Sequence, residues 1–210
     1  MLDNGTEQAK RRNMAQMNKN LLILGAGQYG QVAKEIADDM KCFEKIAFLD
    51  DKFGENTDQN ELIIGNLSDY EKFVTEYSYA FVAIGSAELR LEYIKKLQDE
   101  CFNVVTLVSP KAYVSQSAQI MCGSIVEAMA VVNAKVSIAI GVYVCAGAIV
   151  NHNSFVGDGC TLQCGSTVPA NSLVLAKTTL GYNEVYTKRF DEPIEKRTPV
   201  GNDYKFEDGM

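Results

Sequence analysis

The chain contains one side chain suited to acid–base chemistry near neutral pH. His152, in the segment AGAIVNHNSFVGDGC, is the only histidine among 210 residues. An imidazole changes charge close to neutral pH, so it can remove a proton from an attacking amine or hydroxyl group. The alternative is that His152 is a structural or solvated polar residue, which is the commoner role of an isolated histidine.

A glycine-rich loop near the start of the chain is a second candidate for chemistry. Gly25, Gly27 and Gly30 follow a short aliphatic run with the spacing G-x-G-x-x-G, and apolar residues at helical intervals come next. Such a loop points backbone N–H groups and a helix N-terminus at an anion such as phosphate. Asp50 and Asp51 end a later strand, where a dinucleotide-binding unit places an acid for a ribose hydroxyl. The alternative is that the glycines only form a tight turn.

The segments that follow alternate between strand-like and helix-like patterns as far as residue 109. The run NLSDYEKFVTEY is predicted as a helix capped near Ser68, and AELRLEYIKKLQDE as a second helix. A βαβαβ unit of about 90 residues is half of the two-part sheet that holds a whole NAD molecule. A single nucleotide or a nucleotide sugar therefore fits this half better, and NAD-dependent hydride transfer is the alternative.

The second half of the chain has a period of six residues. From Val108 onward, twelve successive sixth positions are aliphatic: Val114, Ile120, Val126, Val132, Ile138, Val144, Val150, Val156, Leu162, Val168, Val174 and Leu180. Small residues, which suit tight corners, mostly lie two positions before them. We therefore predict short strands stacked as a triangular prism, with three hexapeptides per turn. The predicted fold class is an α/β Rossmann-like domain followed by an all-β parallel β-helix.

A prism of about four coils leaves strand edges and flat faces uncovered. We expect the first half of the chain to cap one end of the prism, and identical prisms to pack around a threefold axis as a homotrimer. The predicted organisation is a flexible lead over residues 1–17, a Rossmann-like nucleotide-sugar-binding domain over 18–109, the β-helix over 110–183 and a tail over 184–210.

Composition argues against several classes of function. The formal net charge of -7 and the sequence pI near 4.8 disfavour nucleic acid as a partner, because phosphate backbones are bound through clustered Lys and Arg. No apolar run reaches the roughly 20 residues that span a bilayer, so we expect a cytoplasmic protein without a membrane partner. The six cysteines include no CxxC pair, which indicates packing thiols and not a zinc site or a disulfide framework. Met17 is an alternative start to Met1.

Five segments together resemble one family of enzymes. LLILGAGQYGQVAKEIA, AFLDD, FVAIGSAELR, LVSPKAYVSQSAQI and AGAIVNHNSFVGDG are similar to segments of the sugar O- and N-acetyltransferases of the sialic-acid and bacillosamine type. The resemblance runs from about Asn18 to about Leu180. It implies a left-handed parallel β-helix, a homotrimer and the use of acetyl-CoA as cosubstrate.

The resemblance also implies roles for particular residues. His152 matches the histidine of the family segment GAxVxHxxxIG, which lies at a cleft between two subunits and takes the proton from the attacking amine or hydroxyl. The Rossmann-like part holds the sugar or nucleotide sugar, and this role carries over to Gly27, Gln28, Tyr29, Asp50, Asp51, Gly85, Ser86 and Arg90. Acetyl-CoA lies along the later coils, where the corresponding residues are Thr161, Gly165 and Ala170. Backbone N–H groups near Gly165 are candidates for binding the oxyanion, and no metal is expected.

The chain departs from the family pattern at three places. Asn153 and Thr161 stand where many relatives have an acid and a second histidine, so a carboxylate that would tune the imidazole is not visible. Tyr29 stands where relatives commonly have a histidine, so the sugar contacted there can differ. The repeat also stops at TLGYNEVYTK, where relatives continue through further coils.

The expected function is acetyl-CoA-dependent acetylation of an amino or hydroxyl group on a sugar or nucleotide sugar. The alternative is a non-catalytic trimeric scaffold that binds the sugar nucleotide and has lost the acetyl-CoA groove. A prism-shaped zinc enzyme of the γ-carbonic anhydrase kind needs several histidines and is excluded. Serine acetyltransferase activity is a weaker alternative, because the Rossmann-like part implies a larger acceptor than a free amino acid.

Overall fold

The computed structural model describes residues 18–54 and 62–187. Its first part is a parallel five-stranded sheet with the order β3-β2-β1-β4-β5. The strands are β1 (Asn20–Leu24), β2 (Lys45–Leu49), β3 (Ile63–Gly65), β4 (Tyr79–Val82) and β5 (Asn103–Val104). The four residues Leu21 to Leu24 are fully buried, as expected for an aliphatic strand covered on both faces.

The described residues between these strands include two α-helices and a 3₁₀ helix. Helix α1 (Gln28–Met40) begins directly after the glycine loop, and α2 (Ala87–Asp99) begins at Ser86, whose hydroxyl accepts a hydrogen bond from the Leu89 N–H at 3.4 Å. The segment predicted as a helix capped near Ser68 is a 3₁₀ helix (Leu67–Phe73). It starts after Asn66, because the Asp69 carboxylate accepts from the Asn66 N–H at 3.0 Å.

The second part is the predicted left-handed parallel β-helix, made of two-residue strands on three faces. The first face is covered by the Rossmann-like part and is called here the capped face. It contains β6 (Leu107–Val108), β9 (Ile125–Val126), β12 (Tyr143–Val144), β15 (Thr161–Leu162) and β18 (Thr179–Leu180). The second face contains β7 (Tyr113–Val114), β10 (Val131–Val132), β13 (Ile149–Val150) and β16 (Thr167–Val168). The third face contains β8 (Gln119–Ile120), β11 (Ser137–Ile138), β14 (Phe155–Val156) and β17 (Leu173–Val174). Strand β6 lies before residue 110, where the β-helix domain was predicted to begin.

The aliphatic residues of the six-residue period fill the interior, as predicted. Val132 on one coil pairs with Val150 on the next, and Val150 pairs with Val168, so each repeat stacks on the repeat 18 positions later. All three side chains have no exposed surface. The end of this core is closed by Tyr186, which is buried against it and whose hydroxyl donates to the Leu173 carbonyl at 2.7 Å. The continuation of the predicted tail from residue 188 lies outside the described residues.

The Rossmann-like part covers a side of the β-helix, and the expectation that it caps one end is wrong. Leu107, Ile125 and Tyr143 point outward from three coils of the capped face and are buried in one core with Leu21 and Phe81. The reason is the apolar ladder that these three residues form along the helix axis, since such a surface must be removed from water.

Helix α2 lies against a row of glycines at the corner between the third and capped faces, called here the glycine corner. Gly123, Gly141 and Gly159 occupy equivalent turns with φ of 70°, 65° and 67°. A Cβ atom at Gly123 would lie 2.5 Å from Ile94 Cδ1 of α2. The glycines therefore allow both the left-handed turn and the close approach of the helix.

No helix in residues 18–54 and 62–187 is long and apolar enough to cross a membrane.

Candidate functional site

The carboxyl edge of the parallel sheet brings together most of the predicted sugar-binding residues. In the order β3-β2-β1-β4-β5, the topological switch point lies between β1 and β4. Gly27, Gln28 and Tyr29 follow β1, whereas Gly85 and Ser86 follow β4. Ligands of open parallel sheets bind in the crevice at such a switch point. The order of strands in the sheet therefore brings two loops that are distant in sequence together in one cleft.

The glycine loop leaves room for a ligand at one position only. A Cβ at Gly30 would lie 2.1 Å from the Gly25 carbonyl oxygen, so this glycine is required for packing. A Cβ at Gly27 would have no atom within 4 Å, and no side chain caps the helix there. Among the described residues, the space beside Gly27 at the N-terminus of α1 is therefore open, and a helix N-terminus without a side-chain cap suits an anion.

The two aspartates after β2 make hydrogen bonds to the backbone of neighbouring loops. Asp50 accepts from the Ala26 N–H at 2.7 Å and from the Lys52 N–H at 3.0 Å. Asp51 accepts from the Leu67 N–H at 3.2 Å. Both carboxylates therefore shape the loops around the cleft, and Asp50 connects directly to the glycine loop.

Tyr29 joins the glycine loop to the β-helix. Its ring centroid lies 4.9 Å from that of Tyr143 on the capped face, and its hydroxyl accepts from Gln163 Nε2 at 3.5 Å. A Cβ at Gly85 would lie 3.5 Å from the Tyr29 ring, so the two loops of the cleft are in contact. Burial raises the pKa of Tyr29 above its ordinary value. Gln163 was not predicted, although it directly follows Leu162 of the six-residue series.

Glu127 is a second residue that sequence reasoning missed. It is buried at the turn between the capped and second faces, where its carboxylate accepts from the Ala146 N–H at 2.9 Å. Burial raises the pKa of Glu127, and its charge in turn raises that of Tyr29. A signal was present in the sequence, because Glu127 follows the inward residue Val126, where other repeats have small or neutral residues.

Arg90 was expected to contact the sugar, and the structure gives it another role. Its side chain is 0 % exposed and all five N–H groups are committed to the protein. The acceptors are the carbonyls of Gly141, Ile84, Gly85 and Gly159 at 2.7–3.0 Å and the Thr161 hydroxyl at 3.3 Å. Its guanidinium carbon also lies 4.0 Å from the Tyr143 ring centroid. Arg90 thus fastens the loop after β4 to the β-helix, and burial lowers its pKa.

His152 is exposed at the corner between the second and third faces, called here the histidine corner. It follows the inward residue Val150 by two positions and points outward, as predicted. The next coil lies directly beside it, since the Asn171 N–H donates to the His152 carbonyl at 3.0 Å. The ring nitrogen Nδ1 lies 3.2 Å from Asn153 Nδ2, so an amide takes the place of a carboxylate partner.

One chain does not bring His152 and the glycine loop together. In a triangular cross-section, the corner between the second and third faces lies opposite the capped face, and the Rossmann-like part covers that capped face. His152 and Gly27 therefore lie on opposite sides of the β-helix. A site that uses both residues requires a second copy of the chain.

The three residues expected to bind acetyl-CoA are at different places. Thr161 is buried on the capped face and accepts from Arg90, so it is not available to a cosubstrate. Gly165 lies at the turn near Glu127, and its N–H already donates to the Ala146 carbonyl at 3.1 Å, which removes it as an oxyanion donor. Ala170 alone shares the histidine corner with His152.

The cysteines and acidic residues suggest no other chemistry in the described part of the chain. All six cysteines lie within it and are unpaired. Burial raises the pKa of Cys160 to about 11 and that of Cys145 further, so neither thiol is activated. In residues 18–54 and 62–187, no group of three His, Cys, Asp or Glu side chains is arranged to hold a metal ion.

Comparison with known proteins adds independent findings. Residues 20–97 match the PglD N-terminal domain family. The acetyltransferase domain of PglB from Neisseria gonorrhoeae FA1090 is 26% identical, with a TM-score of 0.72 over 83% of this chain and 94% of that one. The same domain in complex with acetyl coenzyme A is 25% identical, with a TM-score of 0.63 over 80% and 98%. PerB from Caulobacter crescentus, in complex with CoA and GDP-perosamine, shares the fold at 22% identity, with a TM-score of 0.70 over 81% and 89%.

Proposed function

The chain belongs to the bacillosamine-type sugar acetyltransferases, and on this premise we propose that it transfers an acetyl group from acetyl-CoA to an amino or hydroxyl group of a nucleotide sugar. The observation that carries the proposal is the likeness to the PglB acetyltransferase domain over nearly its whole length, a domain that was solved with acetyl coenzyme A. The open N-terminus of α1 at Gly27 suits the phosphates of a nucleotide sugar.

In the proposed reaction, His152 acts as the general base. The acceptor nitrogen or oxygen attacks the thioester carbonyl carbon, and His152 takes the proton that the acceptor loses. The new C–N or C–O bond forms, the C–S bond breaks, and the CoA sulfur leaves as a thiolate that is then protonated. An acetyl thioester is already activated, so a base and correct placement of the acceptor are the main requirements.

We propose a homotrimer as the working assembly. His152 and Gly27 lie on opposite sides of one chain, so a complete site needs the histidine corner of one copy beside the cleft of another. The second face offers an apolar surface for this contact, since Val131 and Ile149 point outward from it and Tyr113 is 59% exposed. Covering such a ladder with another copy removes it from water.

We also propose that the protein works in the cytoplasm. All six cysteines are free, and buried reduced thiols are typical of a reducing compartment. The proposed partners are the sugar substrate and two further copies of the chain.

The alternative is a trimeric scaffold that binds the nucleotide sugar but not acetyl-CoA. Two observations favour it: Tyr186 packs over the last coil of the β-helix that the structure describes, and the hydroxyl of buried Thr161 is occupied by Arg90. Calorimetric titration with acetyl-CoA, with desulfo-CoA as an unreactive analogue, separates the two functions.

The proposed enzyme binds acetyl-CoA and desulfo-CoA at micromolar concentration. It also acetylates at least one UDP- or GDP-linked amino sugar in a thiol-release assay. Absence of heat and of a thermal shift at millimolar acetyl-CoA, together with retained binding of nucleotide sugars, would establish the scaffold.

A further inference from the structure

The imidazole of His152 is held by an amide pair. Asn153 Nδ2 lies 3.2 Å from His152 Nδ1 and donates to Asn171 Oδ1 on the next coil at 3.3 Å. Asn153 and Asn171 occupy equivalent turn positions with φ of 56° and 58°, a left-handed conformation that asparagine tolerates. The ring is therefore tied to two coils through Nδ1, while Nε2 has no hydrogen-bond partner among the described residues.

The surroundings of this pair contain little charge. At the histidine corner the stacked turns carry Asn133, Lys135, Asn151, Pro169 and Ala170 in addition to the amide pair. Lys135 is the only titratable group among them besides His152, and the outward residues of the adjoining strands are uncharged. No carboxylate lies at this corner in the described residues, and the Asn153 amide is the side chain that the His152 ring contacts.

A proton can be taken up at Nε2 only when Nδ1 already carries one. When Asn153 Nδ2 faces His152 Nδ1, Nδ1 must accept the hydrogen bond, so the neutral ring has its proton on Nε2. A half-turn of both amides about their Cβ–Cγ bonds keeps the two contacts and exchanges nitrogen for oxygen. Nδ1–H then donates to Asn153 Oδ1, which also accepts from Asn171 Nδ2, and Nε2 is free.

We propose that Asn153, held by Asn171, is the positioning residue of His152 and that proton uptake at Nε2 is coupled to a half-turn of this amide pair. The pair orients the ring as a carboxylate would, but it adds no negative charge to stabilise the imidazolium. A base with a neutral partner gives up its proton more easily than one beside a carboxylate. This inference rests on the proposed function in assigning Nε2 as the base.

The test uses the fact that His152 is the only histidine. Two-dimensional ¹H–¹⁵N spectra of the imidazole, recorded against pH on protein freed of any histidine tag, report its tautomer and pKa without substrate. Asn153→Asp can only accept from Nδ1–H, so we expect more of the Nδ1–H tautomer and a pKa of His152 raised by about 1–3 pH units. Asn153→Gly removes the amide without backbone strain at φ of 56°, and we expect the tautomer ratio to shift toward Nε2–H.

Asn183→Asp is the matched control, because Asn183 has the same φ of 56° at another corner. A change of tautomer and pKa in the Asn153 variants, with none in Asn183→Asp, supports the proposal. Equal changes in the pKa of His152 in Asn153→Asp and Asn183→Asp would mean that overall charge causes the effect. Unchanged spectra in both Asn153 variants would mean that the amide pair is not coupled to the ring. Either result overturns the proposal.

The pH profile of acetyl transfer distinguishes failure of this inference from failure of the proposed function. We expect the acidic limb of kcat/KM to move to higher pH in Asn153→Asp together with the pKa measured by NMR. If the spectra change as expected while no acceptor is acetylated by any form of the protein, the positioning role stands and the proposed function fails.

Discussion

At the scale of single residues, the chain buries a positive charge, Arg90, and an acidic side chain, Glu127, neither of which forms a salt bridge within the described residues. Arg90 has no carboxylate partner among its contacts and is balanced by four carbonyls, one hydroxyl and the face of Tyr143. The Glu127 carboxylate accepts from the Ala146 N–H and lies beside the Cys145 thiol, and burial nevertheless raises its pKa. Each charge therefore has a cost that the surrounding dipoles offset only in part.

Replacing Arg90 with Met should destabilise the protein by about 4 kcal/mol or more, because several buried carbonyls lose their donors at about 1–3 kcal/mol each. Urea denaturation followed by circular dichroism measures the change. Lys95→Met, which removes an exposed charge from the same helix, is the control and should differ from wild type by less than about 0.5 kcal/mol. Similar stabilities of the two variants would mean that Arg90 does not hold the loop to the β-helix.

Glu127→Gln should stabilise the protein at neutral pH. A carboxyl whose pKa is raised on folding binds more protons in the native state, so its contribution to stability falls as pH rises from the unfolded pKa to the folded pKa. Gln keeps an oxygen for the Ala146 N–H but has no charge to desolvate. Thermal unfolding at pH 7 and at pH 4 should show a higher Tm for the variant at pH 7 and a smaller difference at pH 4; a Tm gain independent of pH would contradict this explanation.

His152→Asn should lower kcat by about 10²–10⁴-fold, the usual contribution of a general base. The side chain lies at an exposed corner, so folding and acetyl-CoA affinity should be unchanged. Steady-state kinetics with calorimetry separate these effects. Full turnover by the variant would assign the base to another residue.

At the scale of elements, the position of α2 depends on glycines that are 18 residues apart. Gly123 and Gly147 have nearly equal φ values of 70° and 69°, but a Cβ would lie 2.5 Å from Ile94 at the first and have only a backbone nitrogen at 3.9 Å at the second. The two glycines thus have the same backbone requirement and different packing.

Alanine at these two sites should separate turn strain from helix packing. Both variants bear the left-handed strain of about 1–2 kcal/mol. Gly123→Ala should cost a further 1–3 kcal/mol, roughly the penalty for overpacking a core. Denaturant unfolding measures the difference, and equal losses would show that α2 can move away from the glycine corner without cost.

At the scale of the whole molecule, the separation of His152 from the glycine loop makes catalysis a property of the assembly. Mixing His152→Asn with a variant inactivated at the glycine loop, such as Gly27→Asp, should restore activity after the subunits exchange. At equal amounts, about one quarter of the interfaces combine an intact histidine with an intact loop. No recovery from subunits shown to have exchanged would place the whole site within one chain.

Much of the fold follows from the sequence because its signals are local. The six-residue series from Val114 to Leu180 places the inward aliphatic side chain of each strand from β7 to β18, and alternation of strands and helices predicts the Rossmann-like sheet. The spacing of Gly25, Gly27 and Gly30 likewise predicts the turn from β1 into α1, with Gly30 in the first turn of that helix. These features depend on neighbours within one strand, turn or helix, so a short window of sequence contains them.

The candidate site depends on contacts that no short window contains. Arg90 follows the loop of the cleft in sequence and was therefore assigned to the sugar, but its donors reach carbonyls 51 and 69 positions away. Tyr29 meets Gln163 across 134 positions. Such contacts depend on which face the Rossmann-like part covers.

By itself, the sequence determined the two architectures, the inward residues of the β-helix and the presence of one imidazole on an outer turn. Only the tertiary structure decided which face of the β-helix the Rossmann-like part covers. It also decided that Arg90 is buried and joins the loop after β4 to the β-helix, and that His152 lies opposite the cleft. The physical reason is that periodicity specifies which side of a strand is apolar, whereas the choice among apolar faces depends on shape complementarity. Leu107, Ile125 and Tyr143 on one face and Tyr113, Val131 and Ile149 on another look alike in sequence, and only packing distinguishes them.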